Sequence, residues 1–198
     1  MNIRAIIFDF GGVISVDDDL SHVGRRLAKK YGVDQTQLDA TTLRTWMKAL
    51  VNPKQDEAFW SEVANVVGIS GAALMNEFLD FHQPSSDVVR LVRQLREHYV
   101  VAMLSNQISS LHHALMKRWE LDHLFHPVVT SYDEGILKPN PEIYTRLVQK
   151  LSLLPTECLF IDDREENLVP ANELGMQTIL FQKPEQLFQE LKKREVKF

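Results

Sequence analysis

The stretch "RAIIFDFGGVI", residues 4–14, is an apolar run that ends in a carboxylate and then clears the space beside it. Ala5, Ile6, Ile7 and Phe8 read as a strand covered on both faces, because continuous apolar runs of this length mark the buried strands of parallel sheets. Asp9 then stands at the carboxyl end of that strand. Gly11 and Gly12 follow with no side chains, leaving backbone that a ligand can approach closely.

Working outward, the same alternation of short apolar runs and helical patterns continues through the second half of the chain. Strands are predicted over residues 4–10, 99–104, 126–131, 158–162 and 177–181. Between them, "SDVVRLVRQLREH", "PEIYTRLVQKL" and "NLVPANELG" carry apolar residues three and four apart. Asn140 followed by Pro141 marks a helix start, and Gly175 suits a helix end. Strand–helix alternation of this kind predicts an α/β fold, a doubly wound parallel sheet. Residues 15–84 break the pattern and contain only helical stretches. They are predicted to form an all-helical cap inserted after the first strand, leaving residues 1–14 and 85–198 as the core domain.

The 198 residues suit one core with a modest insertion, and 44% hydrophobic and 25% charged residues are ordinary for a soluble globular chain. No apolar run reaches the roughly 20 residues of a membrane-spanning helix, and the N-terminus lacks a secretory pattern. A single cysteine, Cys158, sits in the apolar "ECLFI" and reads as a core residue. The reducing cytoplasm is the expected location. A formal charge of −5 argues against nucleic acid as the partner. The basic "KKREVK" near the C-terminus reads as a solvated helix end.

Polar residues at strand ends carry the chemistry, since ligands of parallel α/β sheets bind there. They are Asp9 after the first strand, Ser105 and Asn106 after the second, Lys138 after the third, and Asp162 and Asp163 after the fourth. Each alone has a structural reading as a turn residue, a helix cap or a solvated lysine. Together they compose a phosphoryl-transfer site. A carboxylate can attack phosphorus and split hydrolysis into two easier steps. Anion attacking anion requires charge cancellation, which Mg²⁺ supplies when held by hard oxygens such as Asp9, Asp163 and the Gly11 carbonyl. Asp162 would bind that ion through water or orient the other groups. Lys138 and Ser105 would hold the phosphate oxygens.

In this order, "FDFGGVI", "LSNQ", "GILKPNPEIY" and "FIDDREENLVPANELGM" resemble the four motifs of the haloacid dehalogenase-like hydrolase superfamily. The insertion resembles the small helical cap of the subgroup that includes sugar-phosphate phosphatases and 2-haloacid dehalogenases. The resemblance implies Asp9 as nucleophile, Ser105 and Lys138 as phosphate ligands together with Gly11, Gly12 and Asn106, and Asp162 and Asp163 at the metal. It implies Asn167 as a supporting group, Mg²⁺ as cofactor and a small phosphorylated, sugar-phosphate-like metabolite as partner. It also implies a sheet with the first strand between the second and the fourth.

Gly11 departs from that pattern. Most phosphatases of the superfamily carry "DxD", whose second Asp protonates the leaving group. Asp17, Asp18, Asp19 and His22 in "SVDDDLSH" are candidate substitutes, although as helix-opening acids they have a structural reading too. Two alternatives stand beside the phosphatase: a 2-haloacid dehalogenase, in which Asp9 would attack carbon without a metal but which usually has tyrosine at the Gly11 position, and a weakened binding protein that keeps the pocket, which Gly11 supports. Trp46, Phe59, Trp60, Phe78 and Phe81 are expected to form the core of the insertion. One of His112 and His113 is a candidate to line the site.

Overall fold

The computed structural model describes residues 3–16 and 19–198, so Asp17 and Asp18 lie outside the described residues. The central strand is β1 (Ala5–Phe8), followed by four helices: α1 (Leu20–Tyr31), α2 (Gln35–Ala49), α3 (Asp56–Val67) and α4 (Gly71–Phe81). Next come α5 (Ser86–Leu95), β2 (Val100–Ser105), α6 (Ser109–Arg118), β3 (Val128–Thr130) and the short α7 (Ser131–Glu134). The chain ends with α8 (Pro141–Leu151), β4 (Cys158–Asp162), α9 (Glu165–Glu173), β5 (Gln177–Leu180) and α10 (Pro184–Lys193). All strand pairs are parallel, in the order β3-β2-β1-β4-β5. This is the predicted α/β sheet with β1 at its centre.

Side chains alternate across the sheet, as the two-residue period of a strand requires. Ile6, Phe8, Met103, Leu159 and Ile161 share one face with α5, α6 and α10. Ala5, Ile7, Leu104, Cys158 and Phe160 share the other with α8 and α9. Both faces are covered, which explains why β1 is apolar at every position. β3 is shorter than the sequence suggests because the Thr130 hydroxyl accepts the Asp133 N–H and starts α7.

The helical insertion leaves and rejoins the core at one place. Ile14 O accepts Ser85 N–H (2.8 Å), and Gln83 O accepts Val16 N–H (2.9 Å). Inside it, Phe59 packs edge-on against Trp46, Trp60 and Phe78. Phe81 is only half-buried and packs against the rim of this cluster. The same apolar cluster runs on into the core face of the sheet. Two polar contacts reinforce the seat. Asp56 of α3 accepts the Ser110 backbone N–H (2.6 Å), and Trp60 donates its indole N–H to the Ser110 hydroxyl (2.7 Å). Helix α6 has no side-chain cap of its own, so the insertion satisfies one of its free N–H groups.

Neither candidate histidine reaches the cleft beside Asp9. His113 bonds within its own helix, to Ser109 O. His112 is buried edge-on against Phe10, with Nδ1 3.0 Å from the Tyr132 hydroxyl and Nε2 without a hydrogen-bond partner. Burial, with His113 adding to it, pushes the His112 pKa down to about 4 from 6.5. Above pH 6.5 the group is neutral whether folded or not. As pH falls from 6.5 through 4, the unfolded chain takes up a proton that the folded chain refuses, and about 3 kcal/mol of stability is lost. His112→Asn should therefore flatten the fall in urea-unfolding free energy between pH 7 and pH 4. Equal slopes in the two proteins would contradict this account of His112.

Candidate active site

The site is built around the side chain of Lys138. Its ammonium lies 2.8 Å from Asp9 Oδ1 and 2.6 Å from Asp162 Oδ2, and all three residues are buried. Burial works against the charged lysine, but Asp9 and Asp162 outweigh it and raise its pKa. The backbone of Lys138 is clamped from the second strand. Asn106 Oδ1 accepts its N–H (2.8 Å), and Asn106 Nδ2 donates to its carbonyl (2.9 Å). Asn106 thus positions Lys138 as well as lining the cleft.

Asp162 is equally committed. Its Oδ1 accepts from Arg164 N–H and Asn167 Nδ2 (2.9 Å each), and its Oδ2 accepts from Lys138 and, at 3.1 Å, again from Asn167. Asn167 is itself fixed because its carbonyl accepts the Tyr144 hydroxyl (2.7 Å). Of the two readings for Asp162, this full shell matches the orienting one. Asn167 sits where a supporting residue is expected.

Asp163 stands differently, at the open rim, directly over Gly12. A Cβ on Gly12 would overlap the Asp163 carboxylate, and the residue is held at φ +71°. The positive φ favours glycine there, and any larger residue would also have to displace the Asp163 carboxylate. Burial, then the neighbouring Asp162, raises the Asp163 pKa. Ligand atoms of Asp9, Asp162 and Asp163 lie within 4.8 Å of one another. Three carboxylates against one ammonium leave this corner short of positive charge, and all three offer hard oxygens of the kind Mg²⁺ takes. A divalent cation fits. At the tip of β2, the buried Ser105 Oγ has no hydrogen-bond partner within the protein. An isolated buried hydroxyl is costly, so its place beside a ligand-binding strand end is informative.

Asp9, Gly11, Gly12, Asn106, Lys138, Asp163 and Asn167 line one cleft of about 620 Å³. The left-handed residue in this loop is Gly12, so conformation does not demand glycine at position 11. Asp19 also lines the cleft, but it caps α1 by accepting the Ser21 N–H (2.8 Å). That hydrogen bonding holds its carboxyl below the usual range, so Asp19 stays ionised and is a poor proton donor. His22 lies 3.7 Å from Asp19 on the exposed face of α1. Sequence reasoning did not single out Leu43, Met47 and Leu50, which line the cleft beside Trp46, one of the aromatics expected in the core with one or two facing the substrate. Their helical spacing was legible, but a stripe of that kind looks the same whether it faces a core or a ligand.

The haloacid dehalogenase-like hydrolase family matches this chain over residues 3–175. The chain belongs to that family. The hydrolase is 24% identical over 199 residues to a glyceraldehyde 3-phosphate phosphatase of Methanopyrus kandleri, covering 89% of this chain and 83% of that one. It is 25% identical over 178 residues to a sesquiterpene phosphatase of Aspergillus oryzae, covering 87% of each. Among solved structures, the magnesium complex of a family enzyme from Bacteroides thetaiotaomicron superposes with a TM-score of 0.75 at 26% identity, over 96% of this chain and all of that one.

The buried triad has a measurable consequence in this hydrolase. Lys138→Met leaves Asp9 and Asp162 facing one another without their counterion. Metal-free unfolding by urea should show a loss of about 3–5 kcal/mol. Adding Asp162→Asn should restore part of that loss, because the second change removes the charge that the first left unpaired. Simple additivity of the two losses would mean that the charges are not coupled.

Proposed function

We propose that this hydrolase is a Mg²⁺-dependent phosphatase that cleaves a small phosphate monoester through an aspartyl-phosphate on Asp9. The observation that carries this reading is the convergence of Asp9, Lys138, Asp162 and Asp163 at the carboxyl ends of β1 and β4. The phosphatase names of its full-length relatives support it. Asp9 and Asp163, with the Gly11 carbonyl, would hold the metal, while Asp162 orients Lys138. The bound cation would neutralise charge on the phosphate and stabilise the charge that develops in the transition state.

The chain's own residues account for the rest. Lys138 would hold Asp9 aimed at phosphorus, because its ammonium already pairs with the attacking carboxylate at 2.8 Å. Asp9 attacks phosphorus, and the ester oxygen leaves with its bonding electrons. Hydrolysis of the acyl phosphate by water then frees inorganic phosphate and regenerates Asp9. Ser105 Oγ, unpaired within the protein, is available to donate to a phosphate oxygen, as are the backbone N–H groups beside Gly11 and Gly12. The insertion would act as a cap over this cleft, entered through the hydrogen-bonded segments at residues 14–16 and 83–85. With one unpaired and buried thiol, a reducing cytoplasm remains the compartment this reading expects. A dehalogenase would need no cation, so the three-carboxylate corner favours the phosphatase.

Asp9→Asn should abolish turnover of 4-nitrophenyl phosphate, by at least about three orders of magnitude, while circular dichroism shows an intact fold. EDTA should silence the wild type, and Mg²⁺ should restore it. Full turnover in metal-free buffer would instead favour halide release from 2-chloropropionate as the reaction to test.

The missing acid generates a second expectation. With glycine at position 11 and Asp19 ionised as a helix cap, kcat/KM should fall steeply as leaving-group pKa rises. Gly11→Asp should speed alkyl phosphates selectively, by up to about 10²–10⁴-fold. A flat dependence in the wild type would mean that another acid already serves, with Asp17 and Asp18 the first to replace.

A further inference from the structure

The cleft is polar at its floor and its mouth and apolar along one wall. Its floor carries the catalytic carboxylates and Lys138, while its insertion side is formed by Leu43, Trp46, Met47 and Leu50 of α2 and its C-terminal cap. These four fall at i, i+3, i+4 and i+7, on one side of the helix. Val16, Leu20 and Leu137 add further apolar lining. Trp46 and Leu50 are also anchored in the protein core, but Leu43 and Met47 are not. Leu43 is 59% exposed, Met47 46% and Val16 64%, among the few large apolar side chains left open to solvent. Scattered exposed leucines need no explanation, but these three line one cavity with the nucleophile.

We infer that the organic group of the substrate is apolar and packs against Leu43, Met47 and Val16, so that polyol phosphates are poor substrates. This deepens the phosphatase reading and rests on it. Sugar-like hydroxyls brought against Leu43, Met47 and Val16 would lose water and find no side-chain donor or acceptor there, whereas an alkyl or aryl group would cover apolar surface that is now wet. The polar residues of the mouth, Asp19, Arg164 and Glu166, do not alter the chemistry of that wall. The substrate class expected is therefore a phosphate monoester of a hydrophobic alcohol or phenol, in place of the sugar phosphate suggested by resemblance.

The test uses a ladder of substrates at nearly constant leaving-group pKa: phenyl, 4-methylphenyl, 4-ethylphenyl and 4-butylphenyl phosphate, assayed with Mg²⁺. A buried methylene is worth roughly fourfold, so kcat/KM should rise at least about tenfold from phenyl to 4-butylphenyl phosphate. Hexyl phosphate should likewise exceed glycerol 3-phosphate. In Leu43→Ser/Met47→Ser the ratio between the ends of the ladder should fall toward one, while Leu43→Ile/Met47→Leu should retain it. Both pairs change exposed positions. In parallel, binding of methylphosphonate and 4-butylbenzylphosphonate is compared by calorimetry. Turnover with a flat ladder, or a preference for glycerol 3-phosphate, overturns the apolar assignment and leaves the phosphatase reading standing. No turnover of any phosphate, with tighter binding of the longer phosphonate that depends on Leu43 and Met47, sinks the phosphatase reading and keeps the apolar wall. Neither turnover nor graded binding overturns both.

Discussion

Everything at this site depends on one buried ammonium shared by two buried carboxylates. Taking Lys138, Asp9 and Asp162 out of water costs free energy that their attraction only partly offsets, and an apolar trio of similar volume would be at least as stable. Stability therefore does not explain them. The protein limits the penalty by completing the surrounding hydrogen bonds: Arg164 N–H and Asn167 on Asp162, Tyr144 on the Asn167 carbonyl, and Asn106 on both sides of the Lys138 peptide. What this arrangement provides is a carboxylate paired with an ammonium and fixed at the end of a rigid central strand, as the proposed nucleophilic attack would need. The strand order places Asp9 and Asp162 on neighbouring strands, β1 and β4, where their carboxyl ends meet.

The insertion is tied to the same machinery through α6. Asp56 and Trp60 hold Ser110, five residues beyond the unpaired Ser105 hydroxyl and four beyond Asn106. The loop that carries these groups thus has a catalytic strand at one end and a contact with the insertion at the other. Because a helix start without its own cap gains from any acceptor aimed at its free N–H groups, the seat of the insertion and the geometry of that loop are energetically linked. A continuous apolar cluster under both makes independent motion of the two costly.

How much of this was legible in sequence differs by the kind of signal. The strands and the sheet showed plainly, since β1 must be apolar throughout when both its faces are covered. Asp9, Lys138, Asp162 and Asp163 were legible only together, because each alone has a structural use but their order along the chain, after successive strands, matches one chemistry. The division of labour among the amides was not. Asn106 was expected beside phosphate, and only the geometry shows it also holding the Lys138 backbone. His112 misled in the opposite direction: a polar residue near a motif suggested a cleft, and packing against Phe10 and Tyr132 put it in the interior. The α2 stripe escaped because three- and four-residue spacing reports which residues share a side of a helix, and not what that side meets.

Gly11 and the apolar wall bear on one another. A phosphatase that lacks a positioned acid must expel its leaving group as an anion, and the group best able to bear that charge unaided is a phenolate or carboxylate. A phenolate is also flat and largely apolar, the kind of group that Leu43, Met47 and Val16 would cover. The polar candidate near the leaving group, Asp19, is spent as a helix cap and stays ionised, so it would repel a departing anion more readily than protonate it. On the proposed reading, Lys138 and the carboxylates would handle charge at the floor, while the wall offers apolar surface for the leaving group to cover. Covering it would exclude water and strengthen the electrostatic contacts below. The wall is on that reading part of the same arrangement, because the organic group that covers it would also shut water away from the phosphate.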